Sequence, residues 1–528
     1  MRNLEIYDTT LRDGAQGVGI SFSVADKLKI ARRLDALGVS HIEGGFPGAN
    51  PKDTEFFAEM RSVTLEHATL TAFGATRRPE ITAPDDIGLR QLLDSGTSTI
   101  TLVGKTWDLQ VRDIIRTELD ENVRMITESV AFLRGEGRDV FFDAEHFFDG
   151  HASDPGYAIR CLEAAAEAGA ARLILCDTNG GMLPDGLGEI VLEMVDRFGD
   201  RLGIHCHNDA GVAIANSLAA VRGGVVQVQG CINGYGERTG NADLCTLIPN
   251  LQLKMARPVV TDSALHSLTD TAAYVSEIAN VAPEVAAPYV GEAAFTHKGG
   301  QHVNAVMKAP YAYQHIDPEL VGNRRRVVVS EQSGRATVLF KSEQSGIDIE
   351  GDGALARQIA EEVKQLEAQG YSFEGAEASF ELLVHRARGH RAAFELIDFI
   401  TLVEQRGGKA LVSEATVKVR VGDRVVHTAA EGNGPVNAID SALRKALIPS
   451  FPELEAMGLH DYKVRVLDGS DGTAARVRVL IESGDHRRRW STVGCSSNII
   501  EASWLALADA FDYALVGNGS AARSAGAE

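Results

Sequence analysis

Through the first half of the chain, short apolar runs of strand length alternate with stretches in which apolar residues recur every three or four positions. The runs are LEIY near 4–7, HIEGGF near 41–46, LTAFG near 70–74, TITLV near 99–103, DVFFDAE near 139–145, RLILC near 172–176, LGIHCH near 202–207 and VVQVQGCI near 225–232. Between them, VADKLKIARRLDALG (24–38) places Leu28, Ala31, Leu34 and Leu37 on one helical face, with Gly38 as a stop. GYAIRCLEAAAEAG (156–169) has the same character. Eight strands with crossover helices in about 250 residues is the count of a (β/α)8 TIM barrel, an α/β fold. An open doubly wound sheet uses the same alternation. The barrel is preferred because polar clusters end nearly every strand, and a barrel collects those ends on one face.

The pattern then changes twice. The region 261–370 reads as a helical linker, ending in the helix IDIEGDGALARQIAEEVKQLEAQG (347–370). From 371 the chain alternates in strand fashion: SFELLVH, AFELIDFITLV, EATVKVRV and RVVHTAA, then a helix from GNGPVNAIDSALRKAL (432–447). The order repeats weakly as YKVRVLDG, AARVRVLIES, RRWSTVG and the helix SSNIIEASWLALADAF (496–511), with Gly432 and Gly494 opening the two helices. These patterns predict a barrel over 1–260, a helical linker over 261–370, a C-terminal α+β domain over 371–516 and a flexible tail over 517–528.

Composition narrows the functional classes. A formal charge of −21 argues against a general nucleic-acid or anionic-membrane binder, while leaving room for a local basic pocket. Six cysteines without a CxxC spacing make no disulfide framework and are expected to be reduced and in the core. No apolar run approaches the roughly 20 residues that span a bilayer, and no signal peptide precedes the first strand, so the expected location is the cytoplasm.

The sharpest chemical motif is HCHND (205–209) at the end of the seventh strand. Residues i and i+2 of a strand share a face about 7 Å apart, so His205 and His207 could grip one metal ion. Two histidines with ordinary hydrogen bonds is the plainer alternative. DTTLRDGAQG (8–17) follows the first strand, which closes a barrel beside the eighth and lies near the seventh. Asp13 could therefore join the histidines in a mixed O/N site suited to Mg, Mn, Zn or Co. Arg12 could polarise a carbonyl oxygen there, although a local surface ion pair is the simpler account of Arg12 and Asp13. Asn241, in the glycine-rich NGYGERTGNAD (233–243), could add a contact. Glu145 ends the fifth strand as a base or acceptor, and Thr178 follows the sixth with a hydroxyl that can bind a carboxylate. His297 and His302 in THKGGQH lie beyond the barrel, where surface histidines are the ordinary expectation.

Together, DTTLRDGAQ, CDTNGG, HCHNDAG, GYGERTGNAD, THKGGQH and GNGPVNAIDSAL resemble the 2-isopropylmalate, homocitrate and citramalate synthase family, over nearly the whole chain and in order. GGFPGANPKD and FFDAEHFFDG are most similar to the citramalate branch. The resemblance implies a catalytic barrel, a linker region and a regulatory domain that dimerises and binds an amino-acid effector, isoleucine or, failing that, leucine. It implies an acyltransferase that condenses acetyl-CoA with pyruvate, through a divalent metal cation, to (R)-citramalate and CoA. The alternatives are a 2-isopropylmalate synthase using 2-oxoisovalerate and a carbon–carbon lyase of the same barrel superfamily. Carried over by motif, Asp13, His205, His207 and Asn241 match metal ligands, Arg12 the residue at the 2-oxo oxygen, and Gln16 and Thr178 substrate contacts. Glu145 matches the acid near the acetyl group, His302 the histidine that assists proton removal, and Tyr313 its neighbour. Ala15 departs from the DGEQ of many relatives. A metal hydrolase and a non-catalytic binding protein fit the motifs less well.

Overall fold

A computed structural model describes residues 4–349, 352–405, 407, 411–467, 472 and 474–524. The eight apolar runs become eight parallel strands: β1 (Glu5–Asp8), β2 (His41–Gly45), β3 (Thr69–Ala75), β4 (Thr99–Lys105), β5 (Asp139–Glu145), β6 (Arg172–Asp177), β7 (Leu202–Cys206) and β8 (Gln227–Gly230). They pair in sequence order, and β1 closes onto β8 through the register Glu5↔Gln227 to Asp8↔Gly230. The barrel, and not the open sheet, is the fold.

Alternation along each strand separates two environments. Ile6, Ile42, Ile100, Phe142, Leu175 and Ile204 are fully buried in the apolar shell beneath the helices. The intervening positions face the barrel interior, which is unusually polar. Tyr7 of β1 donates to Glu43 Oε2 of β2 (2.7 Å) and pairs with Thr101 Oγ1 of β4 (2.6 Å). Gln229 Nε2 of β8 reaches across to Asp143 Oδ1 of β5 (3.3 Å). Buried polar groups persist where such partners meet them.

Local chemistry sets the helix ends. The helix Val24–Leu37 starts at a reciprocal capping box between Ser23 and Asp26 and stops at Gly38, whose φ of 84° is left-handed. The helix Leu268–Ala279 buries Leu268, Ala272 and Val275 in the shell around the barrel. The compact unit consequently runs to Phe295 and takes in Ile316–Arg324, so the boundary expected at 260 falls inside it. All six cysteines are buried, and none forms a disulfide among the described residues.

The second unit comprises Thr296–His315 and Arg325 onward. A parallel pair, β9 (Thr296–His297) with β10 (Arg326–Val327), precedes helices at Arg335–Gln344, Gly353–Ala368 and Glu377–Ala387. Two copies of three antiparallel strands and a helix follow. The first is β11 (Glu395–Glu404), β12 (Val412–Val421), β13 (Arg424–Gly432) and the helix Pro435–Leu447. The second is β14 (Gly458–Val466), β15 (Val477–Gly484), β16 (Arg489–Ser496) and the helix Ile499–Ser524.

Two expectations are corrected. SFELLVH is helical, not a strand, because Phe380, Leu383 and Val384 bury one helical face in a core shared with Ile359 and Val363. The final helix continues to Ser524, through most of the segment expected to be a tail, and residues 525–528 lie outside the described residues. Among the described residues, no helix is long and apolar enough to cross a membrane.

Candidate active site

The C-terminal strand ends gather the candidate residues at one mouth of the barrel. Asp8 ends β1 and folds the next turn onto itself, accepting from Thr10 N and Thr10 Oγ1 (both 2.9 Å). That turn delivers Arg12 and Asp13 inward. Arg12 is no surface ion pair: its Nε donates to Glu43 Oε1 (2.5 Å), Nη1 lies 3.2 Å from Asp13 Oδ2, and the guanidinium stacks 3.8 Å above the Phe73 ring. Burial opposes the charge on Arg12, but Glu43 and Asp13 hold its pKa above the ordinary value.

His205 Nε2 stands 3.4 Å from Asp13 Oδ2, and His207 Nε2 stands 3.9 Å from the same oxygen. The ligand atoms of these three buried residues all lie within 4.8 Å of one another, the one such cluster among the described residues. Asn241 bridges to His207 as an isolated β-pair and donates Nδ2 to Tyr235 O (3.0 Å), which leaves Oδ1 as a free acceptor. Gly236, with φ 152°, makes that possible, since a Cβ there would lie 2.2 Å from Asn241 Nδ2.

Asp13 Oδ1 and Asn241 Oδ1 are buried oxygens without a hydrogen-bond partner. Such orphans are rare, and beside two imidazoles they form the donor set a divalent cation satisfies. Burial alone would raise Asp13, but Arg12 and then the two histidines bring its pKa below the usual value. Burial, followed by the neighbouring His205, lowers His207 to about 4, so its ring is neutral near pH 7 and available as a ligand.

The remaining predicted residues fall in both compact units. Glu145 forms an ion pair with Lys105 from the end of β4. Thr178 Oγ1 accepts from His146 N (2.9 Å), and Arg238 braces the same loop by donating to Thr178 O (2.7 Å) and to both oxygens of Asp209. Gln16 is exposed at the end of a short helical turn, Gly14–Gln16, and Ala15 is half-buried there. His302 and Tyr313 belong to the second unit, where their rings stack at 4.3 Å. His297, in β9, is half-buried, and burial lowers its pKa.

Four polar residues escaped the reading of motifs: Glu43, Lys105, Asp143 and Gln229. Glu43, Asp143 and Gln229 each lie two residues along the strand from another polar or aromatic one, so period-two reading of the strand ends is the feature that would have found them, whereas Lys105 follows the apolar Val103 and carries no such signal. Asp143 is fully buried; burial, and then the nearby Glu43, raises its carboxyl well above the usual range.

A closed barrel carrying a buried Asp–His–His cluster at the C-terminal mouth defines a class of metal-site barrels. Matching agrees: residues 3–275 fit the HMGL-like family, 289–371 the homocitrate synthase post-HMGL domain-like family, and 374–515 the LeuA allosteric (dimerisation) domain. An (R)-citramalate synthase of Geobacter sulfurreducens is 50% identical over 98% of this chain and 98% of its own. One from Synechocystis is 51% identical over 97% and 96%, and a 2-isopropylmalate synthase of Pseudoalteromonas atlantica is 31% identical over 96% and 94%. A solved hydroxymethylglutaryl-CoA lyase from Pseudomonas aeruginosa aligns at 20% identity over 53% of this chain and 94% of its own, with a TM-score of 0.45. The chain belongs to the citramalate and 2-isopropylmalate synthase family, and its whole-length likeness is greatest, among these, to the (R)-citramalate synthases.

Proposed function

We propose that the chain is a divalent-metal-dependent acyltransferase that condenses acetyl-CoA with pyruvate and releases (R)-citramalate and CoA, the entry to a pyruvate route to isoleucine. The observation that carries the reading is the convergence of two buried imidazoles and a carboxylate beside a desolvated guanidinium. Likeness to citramalate synthases at 50–51% identity, against 31% for a 2-isopropylmalate synthase, supports pyruvate over 2-oxoisovalerate.

Asp13, His205 and His207, with Asn241, would hold the cation; Mg, Mn, Zn and Co all suit the donor set. When bound, it supplies a Lewis acid for the 2-oxo group. Arg12, fixed by Glu43 and Asp13, offers its remaining N–H groups to the oxo oxygen as that oxygen gains negative charge. The Thr178 oxygen already accepts from His146, so its hydroxyl hydrogen is left to donate to the pyruvate carboxylate. Gln16 is assigned a substrate contact at the rim. Glu145, steadied by Lys105, is one candidate to take the proton from the acetyl methyl group. His302, with Tyr313 stacked on it, is the other. The resulting enolate attacks the oxo carbon, and water then cleaves the thioester.

The C-terminal domain is assigned homodimerisation and the binding of isoleucine, with leucine as the alternative effector. Exposed Ile400, Leu402 and Val403 on the edge strand β11 support association. The helix Pro435–Leu447 begins without a side-chain cap, which favours a carboxylate at its N–H groups.

The test is thiol release from acetyl-CoA with a panel of 2-oxo acids and a divalent cation. Pyruvate is expected to be the best acceptor. A preference for 2-oxoisovalerate would move the assignment to 2-isopropylmalate synthesis, and no release with any 2-oxo acid would end it.

A further inference from the structure

Polar side chains form a directed line along the barrel interior. At the N-terminal end of the strands, Arg172 donates Nη2 to Glu5 Oε1 (2.5 Å) and Nε to Glu5 Oε2 (3.1 Å). Gln227 donates Nε2 to Glu5 Oε2 (3.0 Å). Its Oε1 accepts from Gln229 Nε2 (3.4 Å), which also donates to Asp143 Oδ1 (3.3 Å). Gln229 Oε1 meets His205 Nδ1 at 2.9 Å. The whole line is buried apart from Glu5 and Arg172 at its foot.

We infer that this line of two amides sets the tautomer of His205, making Glu5, Gln227 and Gln229 positioning residues for the metal centre. The inference rests on the reading of Asp13, His205 and His207 as metal ligands. Each step follows from donor and acceptor inventory. An ionised carboxylate only accepts, so the Gln227 amide must turn its NH2 toward Glu5 and its oxygen toward Gln229. Gln229 then has two acceptors on its NH2 side, Gln227 Oε1 and Asp143 Oδ1, and its own oxygen must face His205. An amide oxygen has no proton to give, so the contact requires hydrogen on Nδ1. In the neutral ring, that leaves the lone pair on Nε2, the atom 3.4 Å from Asp13 Oδ2. Reversing one glutamine would set acceptor against acceptor and donor against donor in the dry interior, where unmet polar groups are costly. His207 has no such support, since its buried Nδ1 has no hydrogen-bond partner. The two imidazoles are therefore held by different means: one by the barrel interior, the other by its backbone pairing with Asn241.

The full-length protein, stripped of metal with a chelator, provides the test through Mn binding measured calorimetrically. Gln229→Met removes the acceptor and is expected to weaken Mn binding about 10- to 100-fold, the usual range for losing the partner of a ligating histidine. Gln227→Met, which does not touch the histidine, should weaken it less. The double variant should be no weaker than Gln229→Met alone, because both act through one line. Gln229→Glu, which can accept from Nδ1–H, should recover most of the affinity. Nitrogen-15 spectra of labelled histidine should show the Nδ1–H form of His205 in the parent and a mixture in Gln229→Met. Unchanged Mn affinity in Gln229→Met, or a double variant that multiplies the two single losses, would overturn the relay. Should Gln229→Met fail to fold, Gln227→Met and Gln229→Glu decide the matter by the same affinities. A parent protein that binds no Mn would refute the metal reading itself, a result distinct from failure of the relay.

Discussion

Arg12 and Asp13 illustrate how adjacent residues in a turn acquire different work. Both are charged and adjacent, yet Arg12 is committed to Glu43 and Phe73 while Asp13 faces two histidines. A lysine presents a single point of donors and cannot reproduce the guanidinium fork. Arg12→Lys is expected to lower kcat at least about 100-fold, the scale of losing one preorganised donor; thiol-release kinetics with a kcat near the parent value would remove Arg12 from charge stabilisation. Asp13→Asn, His205→Ala and His207→Ala should each abolish turnover while leaving the circular dichroism of the barrel in place. Chelation should inactivate the parent, and Mg or Mn should restore it. Full activity after exhaustive chelation would refute a role for metal. Asp13, the two histidines and Arg12 were legible in the sequence because each sits in a short motif at a strand end. Glu43 and Gln229 were not, because their partners lie 31 and 24 residues away in the chain.

Among the elements, the loop after β8 and the foot of β1 each carry a consequence. Gly236 leaves room for the Asn241 amide, so Gly236→Ala must displace Asn241 or strain the loop. The expected result is weakened metal binding and lowered kcat with little change in the melting temperature, since the barrel shell is untouched. Equal loss of melting temperature and activity would assign the loop a purely structural part. At the barrel foot, burial opposes ionisation of Glu5, but His41, Arg172 and Gln227 bring its pKa from 4.5 down to about 2. A lowered folded-state value means that Glu5 stabilises the fold above pH 4.5 and loses that contribution as pH falls toward 2. Glu5→Gln should therefore lower the melting temperature at pH 7, and its deficit relative to the parent should shrink between pH 4.5 and 2. A deficit independent of pH would place the effect in packing.

For the whole molecule, catalysis and regulation are expected to divide near residue 370, inside the second compact unit. The domain matched by the LeuA model begins at 374, just after the helix Gly353–Ala368, so a chain ending near 370 retains every residue of the Asp–His–His cluster. Full-length protein is expected to elute as a dimer and to lose thiol-release activity with rising isoleucine. The chain ending near 370 should elute as a monomer, still bind Mn and show no response to isoleucine. Light scattering and inhibition curves read the two properties separately. A full-length protein whose rate is flat against both isoleucine and leucine would leave the C-terminal domain with assembly alone.

What the sequence by itself determined was local and periodic. Short apolar strand runs, helical faces of period 3.6 and a stop such as Gly38 specify the eight barrel strands and the paired strand–helix repeats, because short-range geometry decides them. It also marked the chemistry wherever residue types cluster within a few positions, as in HCHND and DTTLRD. Tertiary structure alone decided what depends on partners distant in sequence. SFELLVH is a helix because its buried neighbours favour one helical face over strand alternation. The unit containing the barrel extends past 260 because Leu268–Ala279 packs Leu268, Ala272 and Val275 into the shell around the barrel. Asp13 meets His205 only because β1 closes onto β8. The amides of Gln227 and Gln229 acquire a direction only because the Glu5 carboxylate accepts at one end of their line.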